Sequence, residues 1–171
     1  RLELRSVPGR ALRTYSEVQA VDVSHNAMRG ELCKEFCAFT QLRRLAARDN
    51  KLDSLPDSDG GVESLREWEV MDYRLSNLVA LDALDLSGNA FVDLPIAAAS
   101  APVLRTLNLA RNRIGPSLDE IAMASLTSLR VLDLSDNRIA EIPNNAHALV
   151  GLEGLETLIL RGNALESLPA K

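Results

Sequence analysis

Asp22, Ser24 and His25 form the one place in this sequence where a carboxylate, a hydroxyl and an imidazole fall within a few residues of each other. Such a trio could support nucleophilic hydrolysis, the imidazole taking the hydroxyl proton while the carboxylate orients the ring. Neighbouring side chains of a strand point to opposite faces, however, and no donors for an oxyanion are evident. The other histidine, His147, has no such neighbours. Cys33 and Cys37 lie in a helical-looking stretch with Phe36 and Phe39, where a disulfide fits poorly and buried thiols fit well. A metal or redox role would need further ligands that this stretch lacks. No Gly-x4-Gly-Lys-Ser/Thr phosphate loop, His-Glu-x2-His helix or paired Cys motif occurs. The expectation is a chain that is not itself an enzyme, with no catalytic, cofactor-binding or metal-ligating residue and no cofactor.

Polar residues that recur at fixed spacing point instead to repetition. An eleven-residue pattern occurs six times, apolar at positions one, four, six and eleven, with Asn at position nine. The copies are VQAVDVSHNAM (18–28), LRRLAARDNKL (42–52), LDALDLSGNAF (81–91), LRTLNLARNRI (104–114), LRVLDLSDNRI (129–139) and LETLILRGNAL (155–165). Positions four and six alternate with polar residues, so each copy predicts one short strand with one face buried. Successive starts lie 24, 39, 23, 25 and 26 residues apart, long enough for parallel strands joined by right-handed returns over the outer surface. Asn26, Asn50, Asn89, Asn112, Asn137 and Asn163 stand where the chain leaves each strand. An amide both donates and accepts, so these six are expected to form a structural ladder that satisfies the backbone of neighbouring turns.

The pattern resembles the leucine-rich-repeat family, over residues 15–171. The resemblance implies an α/β fold: a right-handed solenoid of about six repeats, its concave face a parallel sheet and its convex side short helices and loops. Residues 1–14 are expected to be an N-terminal flank or the remnant of an earlier turn. The endings Leu55-Pro56, Leu94-Pro95, Ile142-Pro143 and Leu168-Pro169 are similar to the intracellular repeats of Ras-pathway scaffolds and their plant relatives. The first repeat, Asn26-Ala27-Met28-Arg29-Gly30-Glu31-Leu32, is closer to the form seen in plant-type and some protozoan surface repeats. Convex helices are expected after Gly30 over Leu32 to Phe39, after a capping box at Ser117-Leu118-Asp119-Glu120, and from Asn144 or Asn145 through Leu149.

The 39-residue spacing holds about 15 extra residues, read as an acidic helical insertion at 57–74 from the recurrence of Val62, Leu65, Trp68, Met71, Leu75 and Leu78. Leu65 to Leu75 can also be aligned as a degenerate seventh copy with Tyr73 in the Asn slot. Trp68 is the only tryptophan and a candidate interface anchor, although packing onto its own repeat would also account for it. Both ends of the chain are expected to continue into further protein or to meet assembly partners, because a solenoid otherwise exposes its apolar edges.

Composition agrees with a repeated aliphatic core: of 171 residues 46% are hydrophobic, only 4% are aromatic and 25% are charged. A net charge of -5 argues against a broad phosphate-neutralising surface, so no nucleic acid is expected. No apolar run is long enough to span a membrane; Leu78 to Leu86 is broken by Asp82 and Asp85. None of the ten Asn begins an Asn-x-Ser/Thr sequon, which favours an intracellular, cytoplasmic setting, with an extracellular or surface location as the alternative.

Positions two, three, five, seven and eight of each copy should face the concavity. They supply Arg43, Arg44, Arg48, Arg105, Arg111, Arg130 and Arg161 among Asp22, Asp49, Asp82, Asp85, Asp133, Asp136 and Glu156, with no Lys. Arginine pairs bidentately and is the usual interface cation, although ion pairs between strands would use the same residues. Arg44, Asp85, Arg105, Asn108, Arg130 and Asp133, with Trp68, are the candidate partner-binding residues. The expected function is a protein-interaction module or scaffold that holds a partner protein on its concave face. The alternatives are an architectural subunit of a large assembly, or the recognition domain of a larger enzyme whose catalytic part lies outside this chain.

Overall fold

Each copy of the pattern contributes three strand residues, because positions three to five are the only ones bounded on both sides by leucines that the core must bury. In the computed structural model, which describes residues 17–56, 75–143 and 152–166, these strands are β1 (Ala20–Asp22), β3 (Arg44–Ala46), β5 (Ala83–Asp85), β6 (Thr106–Asn108), β7 (Val131–Asp133) and β8 (Thr157–Ile159). A separate pair, β2 (Arg29–Glu31) and β4 (Lys51–Ser54), forms just beyond the first two turns. Among the described residues the main sheet is six-stranded and parallel, in the order β1-β3-β5-β6-β7-β8. Its register is uniform: Leu45, Leu84, Leu107, Leu132 and Leu158 stand side by side, as do Ala46, Asp85, Asn108, Asp133 and Ile159.

The position-four leucines Leu45, Leu84, Leu107 and Leu132 are buried, as are Leu42, Leu81, Leu104 and Leu129 at position one. Leu52, Phe91, Ile114 and Ile139 at position eleven close the core from the far side. Burying one such side chain contributes about 2 kcal/mol, so each repeat is stabilised chiefly by a neighbour that covers its leucines. At β8 this cover thins, and Leu158 is 41% exposed.

The third repeat docks directly on the second although 39 residues separate their starts: Arg44 pairs with Ala83 and Ala46 with Asp85. The alternative of a seventh copy over Leu65 to Leu75 falls almost wholly outside the described residues. The helical insertion expected at 57–74 lies outside the described residues, as do residues 1–14, the cap expected at Asn144 or Asn145, and Leu168-Pro169.

Among the described residues the convex returns are mostly 3-10 turns, Lys34–Ala38, Leu75–Asn77 and Ile96–Ser100, with one α-helix, α1 (Glu120–Ser125). Two local expectations need correction. The stretch after Gly30 begins extended, because the Leu32 N–H bonds the Ser54 carbonyl, so only Lys34–Ala38 is helical. The cap of α1 is Asp119, whose carboxylate accepts from the Ala122 N–H at 2.7 Å. Ser117 lies two residues too early, still bridged in parallel to Glu141. Of the two cysteines, Cys37 is buried, whereas Cys33 is half-buried and donates to the Glu35 carboxylate at 2.8 Å. Among the described residues no helix is long and apolar enough to cross a membrane.

Candidate interaction face

The concave face rests on a row of turns, and the asparagines set their geometry. Each of the last five bonds its own turn and the turn of the preceding repeat. Asn112 is representative. Its Oδ1 accepts from the Phe91 N–H at 3.1 Å, and its Nδ2 donates to the carbonyls of Leu86, Leu109 and Ala110. Asn50, Asn89, Asn137 and Asn163 accept in the same way from Met28, Leu52, Ile114 and Ile139. Asn26 bonds the carbonyls of Val23 and Ser24 within its own turn. Buried backbone groups left without partners would cost about 1 to 3 kcal/mol each, so the row ties the turn of each repeat to that of its neighbour.

Position five has a second role that charge alone does not reveal. Asp22, Asp85, Asn108 and Asp133 each accept the backbone N–H two residues on, from Ser24, Ser87, Ala110 and Ser135, at 2.9 to 3.0 Å. These short Asx turns start the bend out of the strand. The sequence signal was present as Asp-x-Ser at 22, 85 and 133. The Ser24 hydroxyl and then its N–H hold the Asp22 carboxyl below the ordinary range.

Position eight is left-handed in every copy: His25, Asp49, Gly88, Arg111, Asp136 and Gly162 have φ between 50 and 73°. Four of these are not glycine, and their side chains are thrown onto the exit edge of the face. The Asp49 carboxylate meets His25 Nδ1 at 3.1 Å on one side and Arg111 at 3.2 Å on the other. Arg111 belongs to the next repeat but one. The reach is possible because Gly88 stands between them, and a Cβ there would overlap the Asp49 carboxylate.

This arrangement dissolves the apparent catalytic trio. His25 turns to Asp49, while the Ser24 hydroxyl oxygen accepts from the Arg48 N–H at 3.1 Å, so no hydroxyl–imidazole relay forms. Among the described residues no group of three or more His, Cys, Asp or Glu is placed to hold a metal ion.

Of the candidate binding residues, Arg44, Arg105 and Arg130 are exposed on the entry side of the face, and Asp85, Asn108 and Asp133 are half-buried along its middle. Trp68 lies outside the described residues. Arg48, Arg111, Arg130 and Arg161 are paired with Asp85, Asp49, Glu156 and Asp136 at 3.2 to 3.7 Å. These pairs are partly to largely exposed and contribute little to stability, so they are open to exchange with a ligand.

Residues 102–165 match the family model described as leucine rich repeat. The fold is similar to the leucine-rich-repeat ectodomain of the plant membrane receptor kinase GASSHO1/SCHENGEN3 from Arabidopsis thaliana, solved in complex with CASPARIAN STRIP INTEGRITY FACTOR 2. The identity is 27% and the TM-score 0.64, over 92% of this chain and 17% of that one. It is also similar to an internalin from Listeria monocytogenes, at 20% identity and TM-score 0.63 over 92% of this chain and 38% of that one. TLR13, solved in complex with ssRNA13, gives a TM-score of 0.78 at 23% identity, over 97% of this chain and 21% of that one. The chain thus spans well under half the length of each of these three structures.

Proposed function

This chain is a leucine-rich-repeat protein, and we propose that it holds a partner protein on its concave face, as a protein-interaction module or scaffold. The observation that carries this reading is the uniform register of the six strands. It lays Arg44, Arg105 and Arg130 beside Asp85, Asn108 and Asp133 as a broad polar surface with small Ala20, Ala46 and Ala83 between them. The similar receptor ectodomain at 27% identity is complexed with a named factor, which supports the same use of the fold. The lack of sequons supports an intracellular setting.

A second reading, an architectural subunit of a larger assembly, is favoured by Val92 and Ile121, apolar side chains 54% and 69% exposed away from the main sheet. Co-purification with tagged protein separates the two. The concave-face reading expects the Arg105→Glu/Arg130→Glu variant to lose a partner that Val92→Ser/Ile121→Ser retains. The reverse pattern would transfer the contact to the convex side.

A further inference from the structure

The concave face is electrically divided along the strand direction. Its entry side, positions two and three, carries Arg43, Arg44, Arg105 and Arg130 against Asp82 and Glu156. Its exit side carries Asp22, Asp49, Asp85, Asp133 and Asp136 against Arg48, Arg111 and Arg161. On the exit side all three arginines are paired, whereas on the entry side Arg43, Arg44 and Arg105 form no ion pair among the described residues. These three line one hollow of about 390 Å³ together with Asp82, Ala80 and Val103. In the adjoining strand Ala83 stands in register between Arg44 and Thr106 and presents only a methyl.

We propose that this hollow receives an acidic segment of a partner polypeptide, with carboxylates on Arg43, Arg44 and Arg105 and an aliphatic side chain against Val103 and Ala80. The proposal rests on the concave-face reading and names the chemistry of its partner. The size suits one or two side chains. An unpaired guanidinium gains a charge-assisted, bidentate bond without first losing a partner, which favours these three arginines over the paired ones. Val103 is 42% exposed and supplies an apolar shelf beside the charges. Asp82 interrupts the arginines, so the fit is to separated carboxylates. A polypeptide can also place cations against the aspartates of the exit side. A nucleic-acid strand is anionic along its length, and the protein's net charge of -5 repels it.

The test is fluorescence anisotropy of the chain with a labelled peptide bearing a Glu-Glu-Leu-Glu core and with its Gln-Gln-Leu-Gln counterpart. The Glu peptide should bind at least about tenfold tighter, a difference of roughly 1.4 kcal/mol, and the gap should narrow with added salt. Arg44→Gln/Arg105→Gln should abolish the difference, while Arg161→Gln leaves it unchanged. Equal binding of the two peptides, or a difference that survives Arg44→Gln/Arg105→Gln, overturns the proposal. So does single-stranded RNA that binds more tightly than the Glu peptide and displaces it. If the peptides do not discriminate but Arg105→Glu/Arg130→Glu still loses its co-purifying partner, only the acidic occupant falls. If that variant retains every partner, the concave-face reading falls as well.

Discussion

Asp49 and Arg111 are ion-paired at 3.2 Å across a whole intervening repeat, and Gly88 is the reason. Among the described residues hydrogen bonding elsewhere joins adjacent repeats, so this pair is an unusual second-neighbour link. Its dependence on one missing side chain makes it easy to break.

Gly88→Ala should therefore destabilise more than Gly30→Ala. Both glycines are left-handed, at φ 66 and 69°, and alanine there costs about 1 kcal/mol in backbone energy. At Gly30 a Cβ meets nothing, whereas at Gly88 it overlaps Asp49. Urea denaturation should rank the variants in that order; equal midpoints would mean that Asp49 moves aside without loss.

Asn112→Ala removes one acceptor and three donor contacts from the middle of the row and strands the Phe91 N–H in the core. A loss of about 3 kcal/mol is expected. Asn163→Ala, at a half-buried position, should cost about 1 kcal/mol. Similar losses at the two sites, again by urea denaturation, would contradict the dependence on burial.

Asp119→Ala should cost about 1 kcal/mol by uncapping α1, and Ser117→Ala should leave α1 intact. Hydrogen exchange of Glu120–Ser125 reads this directly. Faster exchange in the Ser117 variant alone would restore the earlier cap.

The Ser24 hydroxyl, its N–H and, more weakly, Arg48 stabilise the ionised Asp22 carboxylate, so its pKa lies below the ordinary 3.8. A group with a depressed folded pKa contributes stability that is present above its unfolded pKa and lost as pH falls through the folded value. In Ser24→Ala the NMR-monitored midpoint of Asp22 should rise toward 3.8. An unmoved midpoint would assign the shift to something other than Ser24.

The leucine and asparagine columns could be followed from letters to geometry because each position demands one property, burial or paired donors and acceptors, that few residue types supply. The aspartates were harder to read. Asp85 and Asp133 look like charges for a ligand, yet each spends an oxygen on the N–H two residues on. A single letter does not reveal whether a carboxylate serves its own backbone or a partner. Left-handed backbone at position eight was hidden for a similar reason: Gly88 and Gly162 suggest it, but His25 and Arg111 do not. That Arg43, Arg44 and Arg105 form no ion pair among the described residues depends on lateral register, which appears only when repeats are stacked.

The asparagine bonds all point backwards along the chain. Met28, Leu52, Phe91, Ile114 and Ile139 each donate to an amide that lies 21 to 37 residues later in the sequence. During synthesis from the N-terminus, a turn therefore leaves the ribosome before the side chain that completes it. The hydrogen bonding of each turn can thus be completed only after the next repeat has been made.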